Sequence, residues 1–393
     1  MSILPREIMN AIVDACSDDP STLISISLVG SAWLPSTRIR LFETLRLNLF
    51  SIDNFLDVAC NPHSTFNNSV KGIEIDGSAT TTMNCEPFLT DLSSIRQLAT
   101  ALPSLVSLRL HNFHLEHASE PAVRPFIDAI KSSFSEIREL ELDGIVFISV
   151  SQPMTMLCSF RMLEKITMRD LVWQDPTQIR EDGEHSYELP SSLVYLSLHS
   201  CCKRDIITCL LSQNPPPVIH HLDVGLISPE DCPSFGEYIG GLGAHLFSLS
   251  LEFRSFDAGG DAEDFHKACN LSTNTGLRSI LFESMTCLEY RLTSPVLWIA
   301  KILSQISSSW FEEVTFCMHV FDVDEMNGRS LDDDWHALDA VLNEMHRLLP
   351  AFESATFLAQ VWGETSSAAS LAAFLETVLP LSCSEKIVRV KRR

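Results

Sequence analysis

Glycine and proline are scarce in this chain, 15 and 19 of 393 residues, which excludes collagen-like and low-complexity classes. Positive charge is scarcer: 28 Lys+Arg stand against 51 Asp+Glu, a net charge of −23. A chain this acidic repels phosphate backbones and anionic headgroups at long range, so neither nucleic acid nor membrane is expected as a partner. Lys391, Arg392 and Arg393 form a local basic exception. No apolar run is long enough to span a bilayer; the nearest, Pro295 to Ile306, is interrupted by Lys301. The opening MSILPREIMN has no basic region followed by a continuous apolar stretch, and no signal peptide is expected. The 12 cysteines contain no C-x-x-C pair, the usual mark of zinc ribbons and thioredoxin-like sites. Reduced thiols in cytoplasm, nucleus or both are the expectation, and the sequons at Asn67 and Asn270 then read as chance. Neither a G-x-S-x-G elbow nor an H-E-x-x-H helix occurs, so no catalytic residue, metal or cofactor is assigned and an enzyme is not expected.

What the chain has is apolar content, 45% of residues, enough to build a core. Its length suits two or three domains, or one domain plus an elongated array. One pattern recurs: apolar, two residues, apolar, one residue, apolar. Its copies are Val70-Ile73-Ile75, Leu105-Leu108-Leu110, Ile137-Leu140-Leu142, Leu163-Ile166-Met168 and Leu193-Leu196-Leu198. Ile219-Leu222-Val224, Leu246-Leu249-Leu251, Leu277-Ile280-Phe282 and Phe311-Val314-Phe316 follow. Phe352-Ala355-Phe357 is weaker and Val388-Val390 partial. Successive copies lie 26 to 41 residues apart. The alternation is that of a short strand with one buried face.

Between the copies the spacing predicts helices over Leu92–Leu102, Pro121–Phe134, Pro295–Ile306 and Ser370–Leu379. Another opens at Ser330 with Asp332, Asp333 and Asp334 in its first turn and stops at Pro350. Strand, turn and helix repeated every thirty or so residues calls for parallel strands with returning helices, a solenoid. The pattern resembles the leucine-rich repeat over about residues 65–393. Only Cys201 occupies the slot that should hold Asn or Cys; the others are Ser78, Phe113, Ile145, Leu171, Ile227, Arg254, Met285, His319 and Gln360. The polar ladder of that family is therefore missing. An ordinary α/β domain with several unrelated strands is the alternative.

The first 45 residues do not fit the repeat. Leu4-Pro5-Arg6-Glu7-Ile8 places Pro at a first helical position, and Ile8, Ile12 and Ala15 make an apolar stripe. Leu23 to Val29 alternates like a strand, but its surroundings favour a helix. These elements, with Leu28-Val29 to Trp33 and the basic Arg38-Ile39-Arg40-Leu41-Phe42, resemble the F-box over residues 2–45. Gly30, the Ser-rich second segment and Pro35 depart from the common pattern. The expected organisation is α/β: a three-helix F-box-like module at 1–48, then an irregular leucine-rich-repeat solenoid at 49–393 with a parallel sheet on its concave face.

Several polar groups invite chemistry. His111, His114 and His117 suit zinc only on a tight turn, and solvated histidines are the expectation. Asp322, Asp324, Asn327-Gly328 and Asp333 faintly follow a calcium loop, with the Gly one place late. Gly240-Gly241-Leu242-Gly243 precedes a strand and reads as a helix end; Cys201 or Cys202 is expected to face the core. Strand residues between the buried positions line the concave face. They are Arg109, His111, Glu141, Asp143, Thr167, Arg169, Ser197, His199, Asp223, Ser250, Glu252, Glu283 and Thr315. A long face of this kind suits an unknown target protein.

The resemblance to the F-box implies docking to the Skp-type adaptor of a cullin–RING ubiquitin ligase. The matching apolar positions are Leu4, Pro5, Ile8, Ile12, Leu23, Leu28, Val29 and Trp33. The chain would then be a substrate-recognition subunit that positions a target and does no chemistry. The alternative is a non-catalytic repeat scaffold whose first 45 residues only cap the array.

Overall fold

Every copy of the apolar pattern is a β-strand in the computed structural model, which describes residues 4–17, 19–78, 93–117, 120–173, 187–253, 260–286, 295–320, 332–361 and 368–392. The chain divides into two compact units, Met1–Leu193 and Val194–Arg393.

The first unit opens with three helices, α1 (Arg6–Ala15), α2 (Pro20–Val29) and α3 (Leu34–Leu41). Both α1 and α2 pack on α3. The strand-like stretch from Leu23 is helical because Pro20 stands at its start and Asp19 caps it. Pro5 supplies the carbonyl that accepts from Ile8 and Met9, and the helix itself begins at Arg6. Pro35 sits in the first turn of α3, where its missing N–H costs nothing. Met9, Val13, Leu23 and Thr37 are buried and form the small interior of this bundle.

A strand–helix array follows: β1 (Thr44–Asn48), α4 (Ile52–Ala59), β2 (Gly72–Asp76), α5 (Ser93–Ala101), β3 (Ser107–His111), α6 (Glu120–Ser133), β4 (Glu139–Asp143), α7 (Ser151–Leu157) and β6 (Lys165–Arg169). The strands pair in parallel in that order, each joined to the next by a returning helix or loop. Neighbouring helices pack side by side. Sequence reading missed β1 and α4. Phe42-Leu45-Leu47 has the repeat spacing, but it adjoins the helical head and was masked by it.

The turn after each strand departs from the family pattern in a definite way. Phe113, Ile145 and Leu171, in the slot reserved for Asn or Cys, are fully buried. The residue before each is left-handed: Asn112, Gly144 and Asp170 have φ of 56°, 62° and 48°. The turn amides bond to the neighbouring copy instead of to a side chain. Gly77 N donates to His111 O at 2.7 Å, Asn112 N to Asp143 O at 2.9 Å and Gly144 N to Arg169 O at 3.0 Å. Val146 N and Val172 N likewise reach Phe113 O and Ile145 O, giving the short parallel pair β5 (Val146–Phe147) and β7 (Val172–Trp173). Main-chain bonds plus an apolar plug thus replace the amide ladder.

The second unit alternates β8 (Tyr195–His199), α8 (Lys203–Leu211), β9 (His221–Leu226), α9 (Cys232–Leu242), β10 (Ser248–Glu252), α10 (Gly260–Ala268), β11 (Ser279–Thr286), α11 (Val296–Leu303), β12 (Glu313–Val320), α12 (Asp332–Leu348), β13 (Ser354–Val361), α13 (Ala368–Val378), α14 (Pro380–Ser384) and β14 (Val388–Arg392). Its strands are again parallel and in chain order. Gly240 and Gly241 lie in α9 and Gly243 ends it at φ 51°, the helix end that was expected. Asn274, buried on the next copy, donates to Ile239 O and Gly243 O and so satisfies that helix end. Asp339 of α12, also buried, accepts from the N–H groups of Leu381 and Ser382 at 2.9 and 2.8 Å, tying α14 in place.

Candidate functional site

Two surfaces stand out. The first is apolar and belongs to the helical head. A helix buries one stripe and, when nothing covers the rest, normally fills it with polar residues. Here α1 buries Met9 and Val13 yet leaves Ile8 and Ile12 exposed, as is Leu4 just before it. On α2, Leu23 is 1% exposed, whereas Leu28 and Val29 are 82% and 73% exposed, with Ile24 also outward. Ile39 of α3 is exposed as well, and Trp33 is half-buried. Of the eight positions matched to the F-box, Leu23 therefore belongs to the bundle interior. Leu4, Pro5, Ile8, Ile12, Leu28 and Val29 are outward.

This outward surface is held by a polar frame. Arg40 pairs with Asp14 at 2.8 Å and with Glu43 at 2.7 Å, joining α1 to α3. The Ser36 hydroxyl donates to Asn10 Oδ1 at 2.6 Å. Phe42 stacks on Phe66 at 5.0 Å, fixing the end of α3 to the following repeat. The Asp19 carboxylate accepts from the Ser21 and Thr22 hydroxyls, each at 2.6 Å, and from both their amides. Those bonds, the Ser21 hydroxyl first, hold its pKa down to about 2, below the ordinary 3.8. A depressed folded pKa means the cap is complete above about pH 4 and is lost as pH falls through 2. The Asp19 carboxyl carbon, followed by NMR, is accordingly expected to titrate near pH 2; a midpoint near 4 would show that the cap is not formed.

The second surface is the polar face of the sheets. In the first unit the strand registers set Arg46, Glu74, Arg109 and Glu141 side by side in one row. Asp76, His111, Asp143 and Arg169 fill the next row. In the first row the signs alternate, and in both rows the groups pair. Arg46 meets Glu74 at 3.1 Å, Arg109 and Arg169 both reach Glu141 at 3.3 Å, and His111 Nδ1 lies 3.3 Å from Asp143. Burial pushes the Asp76 carboxyl up, but hydrogen bonds from Ser78 and Asn112 outweigh it and hold the group below its usual range. Most of the expected target-facing residues of this unit thus already contact one another. Exposed pairs of this kind contribute about 0–1 kcal/mol each, so a ligand can displace them cheaply.

In the second unit His199 Nε2 lies 2.8 Å from Asp223 Oδ2, and the Ser197 hydroxyl donates to the same oxygen at 3.0 Å. Burial raises the Asp223 pKa; the His199 and Ser197 contacts reverse that and lower it. The register shift between β9 and β10 makes a bulge, where Gly225 has φ 57°. The His199 ring lies against Gly225; a Cβ there would sit 2.5 Å from Nδ1. Glu252 and Glu283, partly exposed, occupy paired positions on β10 and β11.

Several expectations are corrected. Thr167 and Ser197 are buried, and Ser197 still meets Asp223 of the same face. His111 is paired with Asp143, and His114 with Glu116 at 3.0 Å, so neither is a solvated histidine. The His117 side chain and residues 321–331 of the calcium-like stretch lie outside the described residues. Neither Cys201 nor Cys202 is buried: Ser200 turns left-handed at φ 46° and carries both away from the core. Among the described residues no group of three metal-ligating side chains gathers, and no helix is long and apolar enough to cross a membrane.

No protein-family model matches the chain, and no curated protein matches it. Among solved structures, a chain of the Rad7 and Elc1 complex in yeast is similar at 12% identity and a TM-score of 0.38, over 92% of this chain and 90% of that one. An internalin (inlF) from Listeria monocytogenes is similar at 8% identity and a TM-score of 0.30, over 79% of each chain.

Proposed function

We propose that the chain is a non-catalytic recognition subunit, docking a Skp-type adaptor of a cullin–RING ubiquitin ligase through residues 1–48 and a target protein through 49–393. The observation that supports this most is the exposure of Leu28 and Val29 on α2 and of Ile8 and Ile12 on α1, while Met9, Val13 and Leu23 fill the interior of the head. Helix-in-groove docking needs apolar anchors at helical spacing, and an uncovered set of them is otherwise a solubility burden. The F-box-like order of Leu4-Pro5, Leu28-Val29 and Trp33 supports a Skp-type adaptor as that partner. A target held by the sheet faces would be brought near the transferring enzyme at high effective concentration.

The test is co-expression with a Skp-type adaptor. The two chains are expected to co-purify at one to one through size exclusion. A head that elutes alone at micromolar concentrations of both proteins would leave the cap reading, in which residues 1–48 only shield the open end of the array.

A further inference from the structure

The strand β14 pairs with β13 and, among the described residues, with no other strand. Ala355 N donates to Ile387 O at 3.0 Å, and that bond sets which groups face which way. On a strand the N–H and C=O of one residue point to the same side, and the side alternates along the chain. Ile387, Arg389 and Lys391 therefore turn their main-chain groups to β13, and Val388 and Val390 turn theirs to the open edge. An edge of this kind is a template for a further strand.

The side chains of β14 say which strand. Arg389 and Lys391 stand in register with Thr356 and Leu358, and Arg392 with Ala359, so β13 offers none of them a carboxylate. All three are exposed, and among the described residues none of them has an ion pair. The strands of the first unit behave otherwise: Arg46, Arg109 and Arg169 each meet a glutamate on an adjacent strand. In a chain of net charge −23, three such cations on one edge strand reverse the local sign. Val388 and Val390, on the opposite face in register with Ala355 and the buried Phe357, are only half-buried. They leave apolar surface for a strand laid alongside.

We infer that the β14 edge takes an extended acidic segment of a partner protein as a further strand. Asp or Glu at alternate positions of that segment faces Arg389 and Lys391, and apolar residues between them lie beside Val388 and Val390. The outward main-chain groups of Val388 and Val390 bond to a strand of any sequence, and the cations choose among sequences. A second copy of this chain is disfavoured, because β14 against β14 opposes like charges. A single-stranded nucleic acid is disfavoured too: its phosphates cannot donate to the outward carbonyls, and the rest of the chain repels it. The inference names the chemistry of a partner for the array and does not depend on the head docking an adaptor.

The probe is the acetylated, amidated peptide Thr-Glu-Val-Glu-Val-Glu-Thr titrated into the full chain, with glutamine in place of each glutamate as the neutral control. Binding is expected to slow hydrogen exchange at the Val388 and Val390 amides. Arg389→Gln with Lys391→Gln is expected to weaken binding by about tenfold. Val390→Pro removes an outward N–H and none that bonds to β13, and is expected to weaken it at least as much. If Val390→Pro melts below the parent, the Arg389 and Lys391 double variant and the exchange rates decide. Arg96→Gln, an exposed cation of the first unit, should change nothing. Equal binding of the glutamine peptide, unchanged exchange at Val388 and Val390, or displacement of the peptide by an equal concentration of an oligothymidylate would each overturn the assignment, the last by reducing the edge to a basic patch.

Discussion

A Leu28→Asp, Val29→Asp variant is expected to lose more than about 100-fold in affinity for the adaptor while its far-UV circular dichroism and melting curve stay those of the parent. Burying a Leu or Val side chain contributes about 1.5–3 kcal/mol, and a charge forced into the same contact adds a desolvation penalty. Together they exceed the roughly 2.7 kcal/mol that a 100-fold change represents. The fold should not notice, because both side chains already face water. Leu4→Ala with Pro5→Ala and Trp33→Ala tests the same surface less cleanly, since Trp33 is half-buried and its carbonyl accepts from the Thr37 hydroxyl. Leu23→Asp would be uninformative: it unfolds the bundle. Retention of the adaptor by the intact double variant would defeat the docking reading outright.

The largest stability effect belongs to the second unit. Phe282, Phe316 and Phe357, on three consecutive strands, are fully buried and stacked, with centroids 5.7 Å apart at 13° and 4.7 Å apart at 21°. Phe316 is the middle ring. Phe316→Ala is expected to cost about 3–5 kcal/mol, since the opened space lies between two aromatic faces that cannot close it. For a unit of this size that lowers the melting temperature by about 10 °C or more. Phe50→Ala, exposed, should stay within about 0.5 kcal/mol. Urea unfolding of the two variants side by side decides it, and equal midpoints would mean that the stack is not a core.

The strands were legible because their signal is local. Two apolar residues one apart, preceded by a third, are enough, and even the weak Phe352-Ala355-Phe357 and the partial Val388-Val390 are strands. The helices between them followed from 3.6-residue spacing, and α2 required overruling a local alternation that capping by Asp19 explains. What was not legible depends on neighbours. Nothing at Phe113 or Ile145 alone says that a main-chain bond from the next copy will do the work of an amide side chain. The signal that was available lay one residue earlier, at Asn112, Gly144 and Asp170, types that tolerate left-handed turns. Leu23 and Leu28 look alike in sequence, yet one is interior and the other outward, and only the packing of α2 on α3 separates them. The charge pairing of the first unit is also invisible locally, because it rests on the register between copies about 30 residues apart.

The alternating rows on the first unit make its copies non-interchangeable. Removing the copy that holds β3 would bring Glu74 against Glu141 and Asp76 against Asp143; removing the one that holds β2 would oppose Arg46 and Arg109. Unequal crossing-over, the ordinary route by which tandem genes shed or gain a module, would therefore produce a mismatched junction at either point. Loss of the β2 and β3 copies together would set Arg46 against Glu141 and keep the signs opposed, so a pair of modules is the unit this pattern tolerates best.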